Sequence, residues 1–418
     1  MPLERFAGIV RALKNPNYGT YVAGNSVSLI GTWIQRIAVG WLAWELTGSG
    51  AWLGAVAFAD LFPAVFIGPF GGAVADRLSR LRIITISQAL AMVQALALFW
   101  LTFSGAVTIE WLFALVLVNG FVMGFNQPSR LALVPSLVPR EDLSTAVAIN
   151  AIVFNLARFI GPAVAGLLIV TWGVAAAFAA NALSFVAFFV AISRIRLVEA
   201  APRHGDGARR SLLADVGEGI SYTVRHSGIG PMLLLMVVLS LGVRPFVELL
   251  PGFADVVFHR GAEALAMLSS TIGIGAVLSG IWLAQRGPRA GLARLTLVAA
   301  GCVAVAILAF AASDVFWLAL LAVACAGIAM VLSGVGAQTL IQLTVEPEMR
   351  GRVMSLYGII FRGGPAAGAL VIGTLSEFFG LRWPLAGGAV LALGVWAWIW
   401  VRHRRLIYEL EAGRERAV

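Results

Sequence analysis

A run of about 20 apolar residues is the length of helix that crosses the roughly 30 Å hydrocarbon core of a bilayer. This chain carries such runs from end to end. Twelve are counted, at residues 18–44, 51–74, 82–103, 111–134, 144–170, 173–193, 230–250, 263–285, 293–312, 315–337, 352–375 and 383–401. Once inserted, such segments have no water to satisfy their backbone groups, so each must be a helix. Hydrophobic residues make up 60% of the chain and charged residues only 12%, with a mean hydropathy of +0.91, which excludes a soluble domain. The expected fold is an all-α membrane protein of twelve spanning helices, with the lipid bilayer as its first partner.

The net charge of +9 would point to nucleic acid in a soluble protein. Here the placement of the basic residues gives another reason for it. Of 30 Lys and Arg, 24 fall in the N-terminal segment, in the even-numbered loops or the span ends that border them, and in the C-terminal tail, and only Arg260 and Arg382 fall in the opposite loops. Basic residues accumulate on the cytoplasmic side, so both termini are expected there and nucleic acid is not expected as a partner. Eight of the 13 tryptophans (Trp41, Trp44, Trp52, Trp100, Trp111, Trp172, Trp317, Trp383) lie near the opposite ends of the spans, as an interfacial belt requires. Cys302 and Cys325 fall inside spans nine and ten and are expected as small packing residues. Lys14 is the one lysine, and no small-residue cleavage site follows the first apolar run, so an uncleaved first helix is expected.

Between spans two and three, Gly72-Ala-Val-Ala-Asp76-Arg77 is followed by Arg80 and Arg82. Charge this dense in a very short loop must sit at the membrane surface. The run resembles the loop between the second and third helices of the major facilitator superfamily, with Ser79 where that family has its second glycine. The resemblance implies a cytoplasmic gate made by Gly72, Asp76, Arg77 and Arg80, in which the aspartate and arginines form part of an ion-pair latch. Read without it, these residues are topological charges.

Residues 193–228 form the longest polar stretch and separate six spans from six. The expected organisation is an N-terminal half at 1–195, a cytoplasmic linker at 196–228, a C-terminal half at 229–401 and a basic tail at 402–418. Within the linker, 212–225 reads as a surface amphipathic helix. Span five contains Arg158-Phe-Ile-Gly161-Pro162-Ala-Val-Ala-Gly166 and span eleven Arg362-Gly363-Gly364-Pro365-Ala-Ala-Gly368, a local repeat at matching places. At the end of span eight, bordering the loop equivalent to the one between spans two and three, Ala284 and Gln285 stand where a second Asp-Arg pair would be, so the first half is expected to carry the gate. Gly161, Pro162 and Gly166 resemble the fifth-helix motif of facilitator exporters, with Ala165 replacing a glycine, and this implies export. Physically, proline bends a helix and small residues admit a close neighbour, so ordinary packing is the competing reading.

Ionisable residues inside spans include Arg36, Asp60, Arg158, Arg244, Glu248 and Arg362. Each costs at least ~2.5 kcal/mol at the bilayer centre unless it faces a cavity or a partner. Asp60 lies near the midplane and is the first candidate for coupling to protons, with Glu248 second. Arg244 and Glu248, four apart, are expected to share a helix face and pair. Arg36 and Arg244 could attract an anionic or catecholate-like cargo. Asn25, Gln35, Asn126, Asn150 and Asn155 complete the expected substrate cavity, since the resemblance makes spans one, four and five cavity-lining. The segment from Asn126 to Arg130 and the stretch from Pro135 to Leu143 resemble bacterial exporters related to the enterobactin exporter.

No phosphate-binding loop surrounds Lys14, and His204, His226, His259 and His403 all lie in loops or tails, so neither an ATP-driven pump nor a membrane enzyme is expected. No cofactor and no metal site is expected. The reading is a monomeric, proton-coupled exporter of a siderophore or amphipathic drug-like compound in the bacterial inner membrane, working by alternating access. A lysophospholipid flippase or nutrient facilitator of the same fold, and a membrane receptor or scaffold, are the alternatives.

Overall fold

The computed structural model describes residues 2–75, 78–195, 212–226, 228–286 and 291–402. Fifteen α-helices run in chain order: α1 (Pro2–Lys14), α2 (Pro16–Thr47), α3 (Gly50–Ala75), α4 (Arg80–Phe103), α5 (Ile109–Leu133), α6 (Leu143–Trp172), α7 (Val174–Ser193), α8 (Leu212–Arg225), α9 (Ile229–Gly242), α10 (Phe246–Gly252), α11 (Gly261–Arg286), α12 (Leu292–Ala312), α13 (Phe316–Thr344), α14 (Pro347–Phe379) and α15 (Arg382–Arg402). No strand occurs among the described residues. Among the described residues, eleven segments are long and apolar enough to cross a membrane. The twelfth expected span, α2, is 32 residues long but is not among them. Its hydropathy is diluted by Asn25, Gln35 and Arg36, the residues that make it interesting.

Punctuation explains the boundaries. Asn15 caps α2 by accepting from the backbone N–H groups of Asn17 and Tyr18, with Pro16 in the first helical turn. Gly48 ends α2 in the left-handed conformation that a side chain would disfavour. Span seven differs from expectation. It breaks between Gly242 and Phe246 around Pro245, which has no N–H to donate, and ends in a π-helical turn at Phe253–Val257. The amphipathic linker helix forms as α8, while residues 196–211 and 403–418 lie outside the described residues. An unforeseen helix, α1, precedes the first span and ends at the exposed Lys14. Arg11 of α1 donates through Nε to Asp142 at 2.9 Å, and that carboxylate raises the Arg11 pKa further.

The chain forms two compact units. Unit 1 holds 1–48, 59–206 and 260–270, and unit 2 holds 49–58, 207–259 and 271–418. In unit 1, α2 packs on α6 and α7, and α4 packs on α5 and α7. In unit 2 the same grammar recurs: α9 packs on α14 and α15, and α12 on α13 and α15. Small residues set these crossings. A Cβ on Gly24 would lie 2.4 Å from that of Ala191, and one on Gly388 would lie 2.1 Å from the carbonyl oxygen of Gly242. Close backbone approach of this kind replaces the hydrophobic drive that lipid removes.

Outward faces are apolar, as lipid requires. Trp100, Trp111, Trp172, Trp317 and Trp383 are 56–76% exposed at helix ends, whereas Trp44 is buried in the bundle and does not belong to the belt. Cys302 and Cys325 are exposed too. They face away from the bundle rather than packing inside it, which corrects the expectation drawn from their position in apolar runs.

Candidate functional site

The mid-span charges of unit 1 gather around one indole. Arg36 and Asp60 approach to 3.7 Å, each side chain 29% exposed, so the coupling candidate stands in an ion pair between α2 and α3. Trp33 lies one turn before Arg36 on α2. The Arg36 guanidinium carbon sits 5.5 Å from the Trp33 ring centroid, and that of Arg158 on α6 sits 5.7 Å from it. Phe154, one turn before Arg158, meets the same ring edge-on at 6.1 Å. The i,i+3 and i,i+4 spacings put each pair on one helix face. Gly161 explains the convergence: a Cβ there would lie 2.3 Å from that of Trp33, so only glycine lets α6 come this close to α2. Gly166 works the same way one and a half turns on, where a Cβ would lie 2.1 Å from the Ala266 Cβ of α11. Pro162 is buried within a continuous α6.

The amides expected in a cavity divide. Gln35 is buried and turned into the bundle, where it donates to Gln94 Oε1 at 3.0 Å and accepts from Asn181 Nδ2 at 2.7 Å, joining α2 to α4 and α7. Ser184 completes this network by donating to Asn181. Gln35 is therefore interior glue rather than cavity lining. Asn25 and Asn126 are also buried. Asn150 is half-buried, and the half-exposed Asn155 donates to the Ala151 carbonyl of its own helix at 2.8 Å.

In unit 2, the Arg244 guanidinium lies 3.8 Å from the Phe361 ring centroid and donates weakly to the Phe361 carbonyl at 3.4 Å. Phe361 stacks on Tyr357, whose hydroxyl donates to the Gly334 carbonyl at 2.8 Å. Arg244, Gly334 and Phe361, together with Met236, Ser240 and Met330, border a small, partly open cleft. Glu248 does not follow Arg244 on one regular helix, because the chain breaks at Pro245 between them. Across that turn the Val247 N–H donates to the Arg244 carbonyl at 3.4 Å and the Glu248 N–H to that of Pro245 at 3.0 Å. Arg362 is exposed on α14. Elsewhere in unit 2, Glu377 of α14 accepts from Ser49 Oγ at 2.7 Å and from the Ala51 N–H at 3.0 Å, capping α3.

Of the expected gate, Gly72 falls within α3, and Asp76 and Arg77 lie outside the described residues. Arg80 donates to the Ala132 carbonyl at 2.8 Å and to Ser136 Oγ at 3.2 Å. It thereby binds the carbonyl end of α5, where a cation complements the helix dipole.

Residues 11–412 match the family described as transmembrane secretion effector. The chain belongs to that family, a branch of the major facilitator superfamily. This facilitator is 22% identical to the staphyloferrin A transporter of Staphylococcus aureus, over 86% of this chain and 90% of that one. It is 23% identical to macrolide efflux protein A of Streptococcus pyogenes, over 89% and 92%. With the enterobactin exporter EntS of Citrobacter koseri the identity is 25%, over 79% and 78%. Among solved structures, a peptide transporter (TM-score 0.73, 14% identity, 94% of each chain) and a bacterial homologue of the lysosomal transporter Spinster (TM-score 0.69, 14%, covering 96% and 98%) share the fold. The family and these neighbours are transporters, not enzymes. For a facilitator of this branch, a bilayer and a small-molecule substrate follow as partners.

Sequence reasoning missed Trp33 and Phe154. The signal was present, since each stands one turn before an arginine already singled out.

Proposed function

We propose that this facilitator exports a small molecule, a siderophore or an amphipathic drug-like compound, across the bacterial inner membrane by proton-coupled alternating access. The observation that carries the reading is the mid-span Arg36–Asp60 pair at 3.7 Å. A carboxylate held there without full burial is placed to exchange a proton with the cavity as access alternates. Its arginine keeps the charge tolerable in the meantime. Export, rather than import, is supported by relatives named as an efflux protein and an enterobactin exporter, and by the glycines of α6. In this reading the halves are 1–195 and 229–401, joined by a cytoplasmic linker at 196–228 and followed by the tail at 402–418. Both termini are cytoplasmic, and the protein works as a monomer. Gly72, Asp76, Arg77 and Arg80 serve the cytoplasmic gate. Glu248 contributes to coupling less than Asp60, and the half-exposed Asn150 and Asn155 belong to the cavity with Arg158, Arg244 and Arg362.

Two measurements test this. Cells lacking the protein should accumulate the cargo, which identifies it. In proteoliposomes, Asp60→Asn should then abolish export driven by a pH gradient while cargo binding survives, and Glu248→Gln should only slow it. Export at the wild-type rate by Asp60→Asn removes Asp60 from the coupling role.

A further inference from the structure

We infer that Trp33, Arg36 and Arg158 form a recognition platform for a planar, negatively charged aromatic group, with Asp60 as its built-in competitor. The inference rests on the transport reading only in taking the platform as a cargo contact. Trp33 is half-buried and held in place by Gly161, whose missing side chain admits the Trp33 Cβ. Two guanidiniums from different helices converge on its ring at 5.5 and 5.7 Å, and Phe154 closes one edge. A guanidinium is planar: its face stacks on rings, and its N–H edge matches a carboxylate in bidentate fashion. The platform thus offers ring-stacking surface and anion-binding edges in one place.

Charge selects the sign of the ligand. Two arginines and one aspartate leave the cluster at +1 when all are ionised. An aromatic cation would have to displace a guanidinium from the indole and would meet net repulsion. An aromatic anion instead competes with Asp60 for Arg36, a contact that at 3.7 Å is longer than a tight charge-assisted hydrogen bond. Partial exposure of both partners leaves that exchange open to a ligand. The consequence is a test with a sign: removing the Asp60 charge takes away the competitor and raises the cluster to +2, so anion binding tightens. A site for cationic cargo would respond in the opposite way.

The experiment holds the ring constant and varies the charge. Equilibrium binding to the purified full-length protein is measured for 2-naphthoate, neutral 2-naphthamide and 2-naphthylmethylammonium. Wild type should bind the carboxylate saturably and at least about fivefold more tightly than the ammonium compound, of the order expected for partly desolvated charge and ring contacts. Arg158→Gln should weaken the carboxylate about tenfold and spare the amide, with Arg158→Lys in between because it keeps charge without the planar fork. Trp33→Ala should weaken all three ligands, and Trp33→Phe should restore most of the loss. Asp60→Asn should tighten the carboxylate. The proposal is overturned by absence of saturable naphthoate binding, by a preference for the ammonium compound, or by weaker naphthoate binding in Asp60→Asn. Because the readout is binding, its outcome is separate from that of the transport assay: wild-type export by Asp60→Asn with intact naphthoate binding sinks only the coupling reading, whereas loss of export in Asp60→Asn with no saturable naphthoate binding to wild type sinks only this one.

Discussion

Replacing Gly161 with alanine adds a single methyl group at the closest crossing of α2 and α6. The new Cβ would stand 2.3 Å from the Cβ of Trp33 and 3.2 Å from the Ile30 carbonyl oxygen. Carbon atoms in contact sit at about 3.5–4.0 Å, so the helices must separate by roughly 1.5 Å at this point. Rotating the Trp33 side chain does not relieve the clash, because Cβ is fixed to the α2 backbone. Overpacking of this kind costs about 1–3 kcal/mol, and the rigid partner favours the upper end. Alanine returns up to about 1 kcal/mol through helix propensity. The net expectation is a loss of about 2 kcal/mol, read as a lower half-denaturation temperature of the purified protein in detergent. Gly394→Ala in α15 is the matched control, since no atom lies within 4 Å of its new methyl group; it should be neutral or stabilising. Equal shifts for the two variants, or a Gly161→Ala protein as stable as wild type, would refute the claim that this glycine sets the helix crossing.

Asn181→Leu should lower thermal stability by roughly 1 kcal/mol, between the small average of inter-helix bonds in membranes and the cost of an orphaned buried acceptor, because Gln35 Oε1 loses its donor; wild-type stability would show the network to be energetically idle. Cys302 and Cys325 are exposed on membrane-spanning helices, so in intact vesicles an apolar maleimide should label them and a charged, impermeant one should not. Protease added outside right-side-out vesicles should spare residues 202–225, and cleavage there would reverse the proposed orientation. Asp76→Asn should slow transport without reducing expression, whereas an unchanged rate would leave the loop a topological signal only.

Length and apolarity made the spans legible, since lipid leaves a chain few other options. The repeat was legible for a similar reason. Gly161 and Gly364 are both needed where a fifth helix crosses a first, against Trp33 in one unit and Ser240 in the other. What sequence did not show was direction around each helix. Gln35 and Arg36 are neighbours in the chain, yet one knits α2 to α4 and α7 while the other faces Asp60. A polar residue inside an apolar run announces that it needs a partner, not which helix supplies it. The break in span seven was half-written, in Pro245, but its place between Gly242 and Phe246 and the π-helical turn that follows appear only when the backbone is traced. Cys302 and Cys325 illustrate the remaining ambiguity: a small residue in a span suits a helix crossing and a lipid-facing surface equally well.

The exposed lysine that closes α1 has a practical corollary. Lys14 is the single lysine among 418 residues, so the chain carries one side-chain amine, one residue before the capping asparagine of α2. An amine-reactive dye applied to the purified protein marks a single side-chain position without any mutation. Paired with a second fluorophore on an introduced cysteine, after Cys302 and Cys325 are replaced, it becomes one end of a molecular ruler whose other end can be moved at will.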